Sequence, residues 1–141
     1  MMKGVNIMNY SKGTNYALHT TLHLAKADNK TLLSVHELAA KESVSATYLS
    51  KILTKLTKYG LIESVSGAQG GYRLKKSKYD ITFLDIIHAV EGTAPLFKSC
   101  ESNDPECLIE AVMKEAEKQM NDYLNNKTIG EIADILQNNE V

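Results

Sequence analysis

Residues 34–74 read SVHELAAKESVSATYLSKILTKLTKYGLIESVSGAQGGYRL, and this stretch decides the fold. Ser34 is placed as the N-cap of a short helix, because a serine hydroxyl can accept a hydrogen bond from the free amides of a first turn. A break at residues 42–44 ends that helix, and Ser45 is the N-cap of a longer one predicted over residues 46–59. The pattern is therefore helix, tight turn, helix.

Two short strands follow the second helix. Residues 61–65 and 72–74 are rich in strand-forming side chains, and a glycine-rich hairpin tip lies between them at residues 66–71. These elements in this order predict a mainly α fold with a small two-stranded β wing, the winged helix-turn-helix. In such modules the second helix enters the major groove of double-stranded DNA. We therefore expect a DNA-binding domain.

The second helix has two different faces. Its apolar side chains fall at i, i+3, i+4 and i+7, which is typical of a face packed on a core; they are Leu49, Ile52, Leu53 and Leu56. The opposite face has hydroxyl and ammonium groups and no acid, and consists of Thr47, Lys51, Thr54, Lys55 and Lys58. Solvated lysines on a surface helix would give the same pattern, and a plain hairpin loop would resemble the wing. The three signals in the right order favour DNA binding.

The side chains expected to contact DNA lie near the start of the chain, on the second helix and in the wing. Lysines suit phosphates and hydroxyls near a helix N-terminus suit base edges, while a glycine-rich tip can enter a minor groove closely. The full set is Ser11, Lys12, Ser45, Thr47, Tyr48, Ser50, Lys51, Lys55, Lys58, Gly67, Gln69, Gly70, Tyr72 and Arg73.

The charge of the chain is divided between its two halves. Residues 1–80 carry 12 Lys and Arg against 5 Asp and Glu, a net of +7, whereas residues 81–141 carry 4 against 12, a net of −8. A basic half favours a polyanionic partner, since nonspecific DNA affinity comes largely from phosphate neutralisation. The acidic half is expected to face away from DNA.

Four further helices are predicted from apolar periodicity and capping residues, at residues 11–27, 82–90, 105–124 and 128–136. The third is long and opens on Asp104 as N-cap and Pro105 as the first helical residue. The predicted organisation is an N-terminal extension, the winged domain, a sensor loop and a C-terminal helical arm, at residues 1–7, 8–92, 93–104 and 105–141.

Several segments resemble the Rrf-two family of regulators, the group of IscR, NsrR and CymR, over nearly the whole chain from Met8; they are residues 8–13, 48–53, 66–72 and 124–129. The resemblance implies a homodimeric transcription regulator in which the long helix crosses to the partner subunit. The side chains expected at the dimer interface are Ile109, Val112, Met113, Ala116, Met120 and Tyr123, a stripe that also fits packing within one chain.

Three serines depart from the family pattern. Ser43 stands in the helix-turn-helix turn where IscR has glycine, Ser66 stands where several members have arginine in the wing, and Ser50 replaces the acid that discriminates bases in IscR. DNA binding is still implied, but the target sequence of IscR is not carried over.

The sensed signal has three alternatives. Family members often hold an iron–sulfur cluster with three cysteines, whereas this chain has only Cys100 and Cys107, and Glu110 stands where IscR has a histidine ligand. The usual site is therefore incomplete, although His19 lies in a segment similar to the ligating first helix of RsrR, with Asn15 at that helix's glutamate position. The second alternative is a thiol switch at the two cysteines, and the third is a regulator without cofactor that is controlled by a protein or small-molecule partner.

Other function classes find little support in the sequence. There is no phosphate-binding glycine loop, nucleophile elbow or paired zinc-ligand motif. We therefore expect that the protein is not an enzyme, and we assign no metal site. No apolar run is long enough to span a membrane and no signal peptide is read, so a cytoplasmic protein is expected. A winged-helix adaptor that binds proteins rather than DNA remains the alternative.

Overall fold

The computed structural model describes residues 10–27, 30–97 and 107–139. These residues form six α-helices and one two-stranded antiparallel sheet. The helices are α1 (Lys12–Lys26), α2 (Val35–Glu42), α3 (Ala46–Lys58), α4 (Phe83–Glu91), α5 (Leu108–Asn125) and α6 (Ile129–Asn138), and the strands are β1 (Ile62–Val65) and β2 (Gly71–Leu74). The mainly α fold with a two-stranded β wing is confirmed.

The core lies between α1, α3, α4 and α6. The apolar face predicted for α3 is fully buried: Leu49, Ile52, Leu53 and Leu56. From α1, Ala17 and Leu24 enter the same core, and α6 returns to it through Ile129 and Ala133. Burial of leucine-sized side chains stabilises by about 1.5–3 kcal/mol each, so this core fixes the orientation of α3.

The helix-turn-helix is capped as predicted. The Ser34 hydroxyl accepts from the Glu37 amide at 3.1 Å and the Ser45 hydroxyl from the Tyr48 amide at 3.1 Å. Between the two helices Ser43 takes a left-handed conformation with φ 57° and ψ 41°. Such a conformation costs roughly 1–2 kcal/mol for a residue with a Cβ, which explains why glycine suits this turn.

The wing is tied to the loop that precedes α2. Ile62 pairs with Leu74 at the base of the hairpin and Val65 with Gly71 near its tip. Leu33 exchanges two backbone hydrogen bonds with Tyr72, of 2.8 and 3.1 Å, so at that residue β2 lies between Leu33 on one edge and β1 on the other. The orientation of the wing is therefore set by α2 as well as by α3.

The long helix begins later than the sequence predicts. Cys107 is its N-cap in an extended conformation and Leu108 is the first helical residue, whereas the prediction started the helix at Pro105 and placed Cys107 inside it. Residues 104–106 lie outside the described part of the chain. The helix starts three residues after Pro105, since local start signals do not fix a helix end to the residue.

The end of α5 is joined firmly to the winged domain. The Phe83 amide donates to the Lys127 carbonyl at 2.9 Å, and the Ile129 amide donates to the Ile81 carbonyl at 2.9 Å. The start of α4 and the start of α6 are thus paired. α5 packs against α4, while its first half, residues 108–116, is exposed except for the half-buried Glu110.

Candidate nucleic-acid interface

The outer face of α3 is exposed and carries no acid. Thr47, Lys51 and Thr54 are exposed, as are Lys55 and Lys58, while Ser50 is half-buried beside them. The Thr54 hydroxyl donates to the Ser50 carbonyl at 2.9 Å, so its proton is engaged and its lone pairs are offered outward. This face can therefore accept hydrogen bonds from base amines and supply cations to phosphates.

The N-terminal end of α3 lies against α1. The Tyr48 ring meets the Tyr16 ring edge to face, with centroids 5.7 Å apart and planes at 86°. This contact holds Tyr48, which is 37% exposed, at the edge of the α3 face. The geometry suits a tyrosine that borders a DNA contact surface.

Ser11 and Lys12 at the start of α1 differ in their availability. The Ser11 hydroxyl donates to the Glu91 carboxylate at 2.7 Å, and the Ser11 amide donates to the same carboxylate at 3.1 Å. The serine therefore anchors α1 to the end of α4, and a phosphate could reach only its remaining lone pairs. The Lys12 side chain is exposed and is the stronger candidate of the two.

The wing tip requires its glycines for close backbone approach. A Cβ at Gly70 would lie 2.0 Å from the Val65 carbonyl oxygen, and a Cβ at Gly71 would lie 2.8 Å from the Leu33 carbonyl oxygen. Gly67 has φ +111°, a conformation that side chains disfavour. The tip is therefore narrow, with Gln69 exposed on it.

Tyr72 and Arg73 lie away from that tip, on β2. Tyr72 is half-buried and packs against the core, and its backbone is bonded to Leu33. Arg73 is half-buried opposite Glu63, with its Nε 3.8 Å from the glutamate Oε1. Sequence reasoning missed this acid, although cross-strand pairing of residues 63 and 73 follows once the hairpin register is known.

Two lysines at the base of the wing were also missed. Lys75 and Lys76 are exposed, and the Lys75 amide donates to the carbonyl of Leu61, three residues after the end of α3, at 3.0 Å. The signal for them was the basic run after β2. They extend the positive surface toward the end of the hairpin opposite to the tip.

The proposed sensor residues are not brought together within the described residues. Cys107 is a half-buried free cysteine at the start of α5, His19 is exposed on α1 beside Leu18 and Leu22, and Cys100 lies outside the described residues. No three His, Cys, Asp or Glu side chains converge to hold a metal in residues 10–27, 30–97 and 107–139. Among the residues that the structure describes, one chain therefore supplies no set of three cluster ligands.

The apolar stripe of α5 is open to solvent. Of the six side chains predicted at a dimer interface, five are exposed, while Met120 is half-buried and its sulfur accepts from the Tyr10 hydroxyl at 3.9 Å. Leu108, which the prediction left out, is 80% exposed and lies beside Ile109, one turn before Val112. None of the residues of α5 is buried in the single chain.

No helix among the described residues is both long and apolar enough to cross a membrane.

Comparison with known proteins gives the family. The protein-family model described as "Rrf2: Iron-dependent Transcriptional regulator" matches residues 10–135 of this chain. The regulator IscR of Vibrio vulnificus is 31% identical over 93% of this chain and 78% of its own length.

Solved structures of similar proteins agree with this family assignment. CymR, the global cysteine regulator of B. subtilis, superposes with a TM-score of 0.81 at 26% identity, over 91% of this chain and 98% of that one. The oxidized form of Staphylococcus aureus CymR gives a TM-score of 0.75 at 31% identity, over 89% and 96%. These relatives are transcription regulators and not enzymes. The expectation of a transcription regulator and the expectation that the chain is no enzyme are both confirmed. The chain belongs to the Rrf2 family of transcriptional regulators.

Proposed function

We propose that this regulator binds operator DNA with α3 in the major groove and the wing tip in the minor groove. The observation that carries the proposal is the outer face of α3, where exposed hydroxyl and ammonium groups stand without any acid on a helix whose other face is buried. A helix fixed in this way presents a rigid cationic surface, which is what phosphate and base contacts require.

Fluorescence anisotropy with a duplex from the protein's own promoter tests this. Lys55→Ala and Lys58→Ala should each weaken binding to all duplexes and lower the slope of log K against log salt by about one. Lys118→Ala, on the exposed surface of α5, is the matched control and should leave the slope unchanged. Equal slopes in all four proteins would contradict the proposal, and the absence of any salt-sensitive binding would favour the protein adaptor.

We also propose that the regulator is a homodimer formed through α5. Ile109, Val112 and Tyr123 are 71%, 67% and 63% exposed, so the helix carries an apolar stripe that the single chain leaves uncovered. Burying such a stripe against its own copy is favourable and generates a two-fold axis. Two copies of α3 would then read two half-sites, as dimeric helix-turn-helix proteins do.

Thiol oxidation at Cys107 is the signal that we propose for this dimer. The thiol is half-buried at the point where α5 begins, next to the exposed Leu108 and Ile109. Hydrogen peroxide would transfer one oxygen to the thiolate as its O–O bond breaks, which gives the sulfenic acid and hydroxide. The added polar oxygen would lie beside the apolar stripe and change its packing.

Intact mass and DNA affinity, measured together after peroxide treatment, test the thiol. The wild type and Cys100→Ser should gain oxygen and change affinity in step, while Cys107→Ser should do neither. Oxidation without any change in affinity, or an unchanged response of Cys107→Ser, would contradict this signal. In that case control by a protein or small-molecule partner would be favoured.

A further inference from the structure

The junction between the winged domain and α5 contains a cleft of about 270 Å³. Tyr10, the end of α4, the chain after Gly92 and the middle of α5 all line it. By the ~30 Å³ that a water molecule occupies in the liquid, the cleft has room for roughly nine waters. It is therefore large enough for a small organic molecule and larger than an ion requires.

The charged side chains of the lining are acidic. Glu91 and Glu117 supply two carboxylates, His88 adds an imidazole, and the part of the lining that the structure describes includes no lysine or arginine. Apolar lining comes from Leu84 and Ile87 of α4 and from Pro95 of the linker, the chain after α4 at residues 92–97. Burial first, and then the negative charges of Glu91 and Glu117, raise the pKa of Tyr10, so its phenol is a neutral hydroxyl that feels a negative potential.

The two carboxylates are held in place but retain acceptor capacity. Glu117 Oε1 accepts from the Leu96 amide at 2.6 Å and from the Phe97 amide at 3.1 Å. Both bonds fall on the same oxygen, which leaves the lone pairs of Oε2 for a further donor. Glu91 is positioned by the bonds from Ser11.

We propose that this cleft binds a small organic cation, a protonated amine with a compact apolar body. The ammonium donates to Glu91 and Glu117, and the apolar body lies on Leu84 and Ile87. A charge-assisted hydrogen bond is about twice as strong as a neutral one, so the carboxylates select the cation over a neutral analogue of the same shape. Because Glu117 also holds the linker at Leu96 and Phe97, the occupied cleft fixes the linker against α5. The consequence for DNA affinity rests on the proposed function, whereas binding itself does not.

The test is a titration of ¹⁵N-labelled protein, without DNA, with benzylammonium chloride and with benzyl alcohol at matched ionic strength. The two probes share a ring and differ in charge. We expect benzylammonium to bind with a Kd on the order of 1 mM, as a ligand of this size allows, and at least about tenfold more tightly than the alcohol. The amides of Leu96 and Phe97 should shift with saturation.

Variants separate the cleft from general surface charge. Glu117→Gln and Glu91→Gln should each weaken benzylammonium binding by about tenfold, the equivalent of one charge-assisted hydrogen bond. Glu115→Gln, an exposed acid on the same helix outside the cleft, should leave it unchanged. Equal affinity for the two probes, an equal loss in Glu115→Gln, or shifts confined to other residues would overturn the proposal. Since DNA is absent, these outcomes are independent of whether α3 binds an operator.

Discussion

At the scale of the residue, Ser43 is a serine in a left-handed backbone conformation, at the turn position where IscR has glycine. Its φ of 57° is the single positive value among the described residues other than glycine. Ser43→Gly removes the steric cost of the left-handed turn but adds chain entropy to the unfolded state, so we expect a net stabilisation of about 0.5–1 kcal/mol.

Urea denaturation measures this change. Ser45→Ala, two residues on, should instead destabilise by ~1 kcal/mol because it removes the N-cap bond to Tyr48. A Ser43→Gly protein less stable than the wild type would show that the turn is not strained at this residue.

Glu63 is a second residue whose role only the register reveals. It lies opposite Arg73, so it competes with phosphate for the guanidinium. Both side chains are about two-fifths exposed, and pairs of this kind contribute about 0.2–1 kcal/mol. Glu63→Gln should therefore tighten DNA binding by at most about fivefold, and by about 1.4-fold at the lower end of that range.

The double-mutant cycle in DNA-binding anisotropy identifies the cause. In an Arg73→Gln background, Glu63→Gln should have less than half of its effect, because no guanidinium remains to be released. The same gain in both backgrounds would mean that Glu63 acts through general charge and not through Arg73.

At the scale of the element, the wing depends on the absence of a side chain at its tip. Gly70→Ala would place a methyl group 2.0 Å from the Val65 carbonyl oxygen, so the tip must open. We expect DNA affinity to fall by about tenfold, which corresponds to ~1.4 kcal/mol, with the mass of the dimer unchanged.

Two measurements accompany that change. Gln69→Ala shows how much of the loss belongs to that exposed side chain at the tip, and sedimentation shows that the assembly is intact. Wild-type affinity in Gly70→Ala would remove the wing from the interface.

At the scale of the whole molecule, α5 is the element that a single chain cannot cover. Val112→Lys puts a charge into the stripe that we expect to be buried in the dimer, and burial of an unpaired charge is costly. Analytical ultracentrifugation should give twice the 15.6 kDa chain mass for the wild type and the monomer mass for the variant.

The matched control is Ala111→Lys, on the exposed opposite side of the same helix. It should remain dimeric and bind DNA as the wild type does. A Val112→Lys protein that stays dimeric would show that the dimer interface lies elsewhere. A monomeric wild type would contradict the proposal that two copies of α3 read two half-sites of the operator.

The sequence determined the helix-turn-helix, the wing and the buried face of α3, because caps, turns and helical periodicity act between residues that are close along the chain. Ser34 and Ser45 as helix caps are examples that the structure confirms. Bounds predicted from such short-range signals were close, with the largest difference at the start of α5, which begins at Leu108 and not at Pro105.

Only the tertiary structure decided what distant segments do to one another. Ser11 is bound by Glu91, Leu33 pairs with the wing, and Glu117 holds the linker, in contacts that span many residues and leave no periodic pattern. The outer face of α3 could be predicted from the sequence, because helical periodicity places it opposite the apolar side chains that are buried. The cleft beside α5 was not, because its two carboxylates come from separate helices and meet only when the chain folds.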